Sequence, residues 1–449
     1  DCVRHAHLRS LALHYHVAPS IRRNDRVVQV ELLAPAGGFE QLRAALAFGA
    51  DAVYLAAEKF GMRARAANFS LDALPAVVRQ AHARGAKVYV TCNVMMEQRD
   101  VDELPGYLEA VDAAGIDALI VGDLGAFALA RAHAPRCALH VSTQASVANS
   151  EAAKMWHDLG ASRIVCAREM TLQDIARMRE RIPDGLQLEA FVHGAQCMAV
   201  SGRCLISSYL TGRSGNKGAC TQPCRWNYAL EEEKRPGEHF PVEENAGSTF
   251  IMNAKDLCMV EHLDALREAG VDSVKIEGRN KKAFYVATVV GAYRRALDGG
   301  PVAEARRELD AVSHRPYGTG FYFGDPQQAC DYDGYEQETM CVADVVACEG
   351  AEGLGASGEG APGGGAFRLV ARCRNRFEEG EALEVLSPGC AVREVAVRNL
   401  SWIPEDDDVP QPVAVANRAT DRYAFASPFA VEPGSFLRVR RHRRSARHA

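Results

Sequence analysis

No stretch of this sequence stays apolar for the roughly 20 residues that a membrane-spanning helix needs, so no spanning segment is expected. Residues 1–28 hold no secretory signal core, because His14 and His16 interrupt their one apolar run, and no Met begins them. They read as an N-terminal extension outside the fold. Lack of an export signal makes the cytoplasm the expected location, and there the fourteen cysteines read as thiols or metal ligands rather than disulfides. Charge of one sign is not in large excess: 52 Lys+Arg face 58 Asp+Glu, a net −6. Any contact with a polyanion would therefore rest on local patches. Familiar chemical signatures are missing as well. No glycine-rich dinucleotide fingerprint follows the first strand-like run, no His-Glu-x-x-His helix offers a zinc site, and no Gly-x-Ser-x-Gly elbow presents a nucleophilic serine.

What is present, from Val30 onward, is an alternation. The runs ELLAP (31–35), AVYLA (52–56), KVYVTCN (87–93), ALIVGD (118–123), LHVSTQ (139–144), RIVCARE (163–169), LEAFVHG (188–194) and SVKIEGR (273–279) are near-continuously apolar. That is the pattern of parallel strands buried on both faces. Helix-period stretches such as LDALPAVVRQAHARGA and MTLQDIARMRERI lie between them, and Gly49, Gly85, Gly115, Gly160 and Gly270 sit where helices would end. Eight strand–helix units suit an α/β fold, a (β/α)8 TIM-like barrel over residues 29–300. A doubly wound open sheet is the alternative. The runs end on Pro35, Asn93, Asp123, Gln144, Glu169, His193, and Glu277 with Arg279. Any one of these reads first as a strand or helix cap. Converging on the face where barrel strands end, Asn93, Gln144, Glu169, His193, Glu277 and Arg279 form a candidate catalytic set.

The rhythm breaks over residues 194–272, an insertion too long for an ordinary connection. Its start, HGAQCMAVSGRCLISSYLTGRSGNKGACTQPCRW (193–226), holds Cys197, Cys204, Cys220 and Cys224, separated by six, fifteen and three residues. Structural zinc sites usually show two close pairs, and only the second pair here is close. Iron–sulfur clusters accept more varied thiolate spacing. The loop's glycines let backbone N–H groups approach an inorganic core, and Arg203, Arg213, Lys217 and Arg225 can offset its negative charge. A Cys197 nucleophile activated by His193 needs one cysteine rather than four. Four buried thiols are out of place in a polar, glycine-rich loop. The residues favour a cluster, with zinc and a nucleophile as alternatives. Cys258, in NAKDLCMVEH, stands as a replacement ligand or a helix-face thiol, and Cys166, within an apolar run, reads as core.

From Pro301 the pattern changes to alternating runs, CVADVVAC, AFRLVARCR, EALEVLS, AVREVAVRN, PVAVAN and FLRVRR, which predict a linker and a small C-terminal β-barrel or sandwich over 301–449. GAEGLGASGEGAPGGGA (350–366) reads as a hairpin tip or linker, and the tail RVRRHRRSARHA as a solvated basic end or an RNA-contacting arm.

EAFVHGAQCMAVSGRCLISSYLTGR followed by GACTQPCRW resembles the signature of the collagenase-like peptidase family of unknown catalytic type. ELLAPAG, LHVSTQAS, MNAKDL and SVKIEGR are similar to its other blocks in order, and HRPYGTGF (314–321) and NRFEEGEALEVLSP (375–388) resemble the C-terminal part of its longer members. The resemblance covers about residues 30–440, and Ala254 departs from the serine usual in its block. It implies a (β/α)8-like barrel with a small β-domain behind it. It also implies one of two activities: peptidase, the family's first assignment, or oxygen-independent hydroxylase carrying an iron–sulfur (4Fe–4S) cluster. One hydroxylase branch acts on the tRNA wobble uridine with prephenate as oxygen donor, and others act on a ribosomal RNA cytidine or a ubiquinone precursor. This chain is most similar to the tRNA branch. Carried over, the cluster ligands are Cys197, Cys204, Cys220 and Cys224, with Cys258 as the replacement for the fourth. Implied partners are tRNA and an electron donor or cluster-loading system. Hydroxylating an unactivated aromatic carbon needs an electron carrier that side chains do not supply. A mouth lined by Asn93, Gln144, Glu169, His193 and Arg279 suits an unpaired loop base. Arg203, Arg213, Lys217, Arg225, Lys281 and Lys282 are the cations expected to meet RNA. A non-catalytic iron–sulfur scaffold is the remaining alternative.

Overall fold

The structure is a computed structural model describing residues 29–63, 67–197, 199–200, 202–226, 229–231, 239–241, 255–324, 335–350, 367–405 and 409–440. The extension 1–28, residues 351–366 of the glycine-rich run and residues 441–449 of the basic tail lie outside the described residues.

All eight apolar runs are strands of one closed parallel barrel: β1 (Glu31–Pro35), β2 (Ala52–Leu55), β3 (Lys87–Cys92), β4 (Ala118–Val121), β5 (Ala138–Val141), β6 (Arg163–Val165), β7 (Gln187–Ala195) and, after a short hairpin of β8 (Ala229–Glu231) with β9 (His239–Pro241) and the strand β10 (Asp256–Cys258), β11 (Ser273–Ile276). Neighbours follow chain order, and β11 pairs in parallel with both β7 and β1 to close the ring. The connecting helices are α1 (Phe39–Ala47), α2 (Leu74–His82), α3 (Gln98–Ala113), α4 (Leu124–His133), α5 (Ser150–Asp158) and α6 (Leu172–Arg179), then α7 (Ile206–Thr211) in the cysteine loop, α8 (Leu263–Glu268), α9 (Ala283–Leu297) and α10 (Val302–Ala311). Gly49, Gly85, Gly115, Gly160 and Gly270 all take positive φ, between 71° and 105°, as C-terminal helix stops do. Among the described residues no helix is long and apolar enough to cross a membrane.

Two expected boundaries shift. Asp256–Cys258 pairs antiparallel with the end of β7 and leads into α8, so the later part of the 194–272 insertion belongs to the barrel wall. Residues 302–311, expected in the linker, form α10, and the following Tyr317 donates its hydroxyl to the Leu309 carbonyl while its strand pairs with β10.

The barrel interior is partly ionic. Arg163 reaches Glu31 at 2.6 Å and Glu189 at 3.1 Å, and Lys275 reaches Glu189 at 2.8 Å. Tyr89 and Ser273 also donate to Glu31. Above this layer sit the apolar Leu33, Tyr54 and Ile120. Buried charges persist only when paired and hydrogen-bonded, and each of these is.

Behind the barrel stands an eight-stranded antiparallel sheet, including Thr339–Gly350, Phe367–Cys373, Ala382–Leu386, Arg422–Ser427 and Phe436–Arg440, with its own apolar core. Phe436 packs on Phe48 and Phe284, and the fully buried Arg438 bridges Glu308 of α10 and Glu384 of the sheet.

Candidate active site at the barrel mouth

The C-terminal strand ends bring a carboxylate and several guanidinium groups together. Glu277, just past β11, lies 3.4 Å from Arg63 Nε and 3.9 Å from Arg168 Nη2. Burial alone would raise its pKa, but Arg63, Arg168 and Arg279 outweigh burial and hold the carboxyl below its ordinary value. Arg63 is raised in return, chiefly by Glu277, with Cys197 and Cys220 contributing. Arg168 also donates to the Ala195 carbonyl at 2.8 Å and stacks 4.0 Å from the Phe191 ring centroid. Arg279 is only 3% exposed, and one of its nitrogens donates to Thr91 Oγ1 at 2.7 Å. Its Nε and Nη2, like Arg168 Nε, are buried without a hydrogen-bond partner among the described residues. Burial pulls the Arg279 pKa down to about 10, so the group is still a cation near neutrality. Unpartnered buried N–H groups are costly, and a small anion bound at the mouth would offset that cost. Gly37 makes this packing feasible: a Cβ there would stand 2.0 Å from the Arg279 carbonyl oxygen.

Asn93, Ser142 and Gln144 form a second, neutral group. Asn93 Nδ2 donates to Gln144 Oε1 at 3.0 Å and to Ser142 Oγ at 3.3 Å, while Asn93 Oδ1 accepts from the Met62 amide. The cysteine loop lies directly over them. Gly202 abuts the Gln144 side chain so closely that a Cβ would stand 2.8 Å from it, and the Met95 amide donates to the Asn216 carbonyl.

Within that loop, Cys197 is exposed and Cys204, Cys220 and Cys224 are partly exposed; none of the four is in a disulfide. Gly215 lies against Cys220 and the Cys204 carbonyl, and the Gln222 amide donates to Cys220 Sγ at 3.3 Å. The donor set, the glycine contact and the N–H to sulfur suit a thiolate-bound cluster. The thiols share a neighbourhood without being drawn to one point: among the described residues no three metal-capable side chains are grouped to hold an ion. Cys258 is apart from them, buried on β10 with Tyr293 as its hydroxyl donor and its thiol pushed up by burial.

Several expected placements are corrected. His193 does not line the mouth. The β7–β11 register slips between Lys275 and Ile276, which aligns His193 with outward-facing Ile276. It is 1% exposed among Tyr285, Tyr293 and Tyr317, and burial lowers its pKa to about 3. Glu169 is exposed, and the preceding Arg168 turns to the mouth instead. Lys217 is held by Asp100 and Glu97 of the α3 N-terminus, and Lys281 packs over Tyr285 with Nζ on the Ser313 carbonyl, so neither projects freely toward a polyanion. Arg203 and Lys282 are exposed and Arg213 is half-buried; the Arg225 side chain lies outside the described residues. Arg63, Arg168, Thr91 and Ser142 are additions. Thr91, Ser142 and Arg168 lie within the apolar runs themselves and were passed over for the residues that end them, whereas Arg63 lies in the connection after β2 on a left-handed backbone (φ 70°) that is invisible in a sequence.

Fold and site together define a (β/α)8-barrel protein with a buried cationic mouth under a thiol-rich loop. The chain belongs to peptidase family U32, whose family model matches residues 37–331. It is 38% identical over 317 residues to "tRNA hydroxylation protein P1" of Bacillus subtilis (strain 168), across 69% of this chain and 72% of that protein. It is 35% identical over 402 residues to "tRNA hydroxylation protein P" of Escherichia coli (strain K12), across 80% and 86%. It is 33% identical over 312 residues to "Collagenase" of Porphyromonas gingivalis (strain ATCC BAA-308 / W83), across 66% and 73%.

Proposed function

We propose that this protein is an RNA hydroxylase acting in the cytoplasm on an unpaired base, the tRNA wobble uridine being the first candidate, with the dicarboxylate prephenate as oxygen source. The observation that carries this reading is the arginine-rich mouth: Arg168 and Arg279 keep buried N–H groups unpartnered among the described residues, and Glu277 neutralises only part of the charge. Guanidinium groups recognise carboxylates through paired N–H donors, so a small dianion fits there better than a peptide. Asn93, Ser142 and Gln144 offer amide and hydroxyl groups for a base edge beside the anion. Hydroxylation relatives over most of the chain support the same class. Cys197, Cys204, Cys220 and Cys224 would hold a 4Fe–4S cluster, which supplies one-electron transfer. The buried surroundings of Arg279 keep water from competing for the anion.

The peptidase reading is favoured by the Porphyromonas relative's name, but among the described residues no side chain at the mouth is an activated nucleophile with a base: His193 faces away. Nucleoside mass spectrometry of tRNA from a deletion strain separates the two. Loss of 5-hydroxyuridine and its derivatives, restored by the gene, is expected. Unchanged tRNA together with gelatin cleavage by the purified protein would give the peptidase reading the field.

Arg279→Ala is expected to bind tRNA normally while raising the prephenate concentration needed for half-maximal rate by roughly tenfold or more, the worth of a charge-assisted pair. Steady-state titration of each substrate checks this. Unchanged rates when either substrate is limiting would remove Arg279 from the site.

A further inference from the structure

The cysteine loop carries an exposed apolar face that neither the mouth nor the thiols use. Among the described residues, five of the thirteen exposed large apolar side chains fall between Val200 and Trp226. Two stand out: Leu205 is 69% and Tyr209 89% exposed. The Tyr209 amide donates to the Leu205 carbonyl at 2.8 Å, which puts the two side chains one helical turn apart on the same face of α7. A tyrosine so exposed contributes little to core packing, and its ring is free on the solvent side. The chemistry around it is one-sided. From Gly194 to Trp226 the chain contains no aspartate or glutamate, but it contains Arg203, Arg213, Lys217 and Arg225. Lys217 is consumed by α3, whereas exposed Arg203, two residues before Leu205, makes no ion pair among the described residues.

An exposed aromatic ring and a free cation on a loop that has no carboxylate of its own is the composition that holds single-stranded nucleic acid: bases stack on the ring while phosphates meet the cation. We infer that the α7 face, with Tyr209 as its ring and Arg203 as the loop's exposed cation, is a stacking platform for an unpaired RNA base neighbouring the one that enters the mouth. This rests on the RNA hydroxylase reading above and adds how the loop of the RNA is held open. The loop lies across the mouth through Gly202 against Gln144, so a base stacked on α7 belongs to the same strand as the base at Asn93 and Gln144.

The test uses the full-length protein, a fluorescent anticodon stem-loop, and a fully paired RNA duplex of equal length. Tyr209→Ala is expected to weaken stem-loop binding by at least about fivefold, the lower end of a lost base–aromatic stack, with duplex affinity unchanged. Tyr209→Phe keeps wild-type binding, because the ring and not the hydroxyl does the stacking. Tyr209→Trp shows extra emission quenching with the stem-loop and none with the duplex. Since the side chain is almost wholly exposed, all three variants keep the wild-type melting temperature. Equal stem-loop affinity for wild type and Tyr209→Ala overturns the platform. So does an equal loss for stem-loop and duplex. A Tyr209→Ala protein that binds RNA normally but is no longer reduced by its electron donor also overturns it, in favour of a protein partner on this face. A wild-type protein that binds no stem-loop is a separate result, and it removes the hydroxylase reading together with the platform.

Discussion

Glu189→Ala is expected to cost about 3–5 kcal/mol of stability, the range for removing one partner of a buried ion pair. Glu189 is fully buried and is shared by Arg163 and Lys275, so its loss strands positive charge inside the barrel. Urea unfolding at neutral pH measures the effect, and a loss below about 1 kcal/mol would show that water or relaxation screens this layer. Converting Glu189, Arg163 and Lys275 together to apolar residues of similar volume should recover much of the loss, because no charge is then left unpaired. The acid limb follows from Glu31. Burial would raise its carboxyl, but Arg163, Tyr89 and Ser273 hold it below its ordinary 4.5. A depressed carboxylate contributes stability that is fully present above its unfolded value and disappears as pH falls through its folded value. Stability should therefore decline below about pH 4.5, and Glu31→Gln should flatten that decline while lowering stability at pH 7.

Cys220→Ser is expected to abolish iron binding and hydroxylation together. Anaerobically purified wild-type protein should be brown, with iron and sulfide in near-equal amounts, and the variant should be colourless. Cys220 is the natural choice because it is partly exposed, free, adjacent to Gly215 and already receives the Gln222 N–H. Cys166→Ser is the control. That thiol is buried in the barrel wall, where burial pushes its pKa up to about 12 and leaves it protonated and inert. Cys258→Ser should likewise keep the colour, since Cys258 is sealed against Tyr293 away from the loop. Stoichiometric zinc without iron in the wild type would overturn the cluster.

Much of the fold was legible because parallel barrel strands are buried on both faces and therefore spell apolar runs bounded by helix-stop glycines. The strand-end residues Asn93, Gln144, Glu277 and Arg279 were legible for a related reason: a polar residue ending an apolar run has few places to go except the rim. The same logic failed at His193 and Glu169. A register slip beside Ile276 turns one outward, and the turn after β6 exchanges Glu169 for Arg168. Pattern counting assumes an unbroken phase, and a bulge changes the phase without changing composition.

The sequence by itself determined the barrel, the thiol set and the absence of acid in the cysteine loop, since these depend on residue type and spacing along the chain. Only the tertiary structure decided which cations are available. Lys217 is neutralised by Asp100 and Glu97, more than a hundred positions away, whereas Arg63, Arg168 and Arg279 are gathered around one glutamate from three separate strand ends. Coulombic partners are set by distance in space and by burial, and neither quantity is written along a chain until strands from both ends of it have closed into a ring.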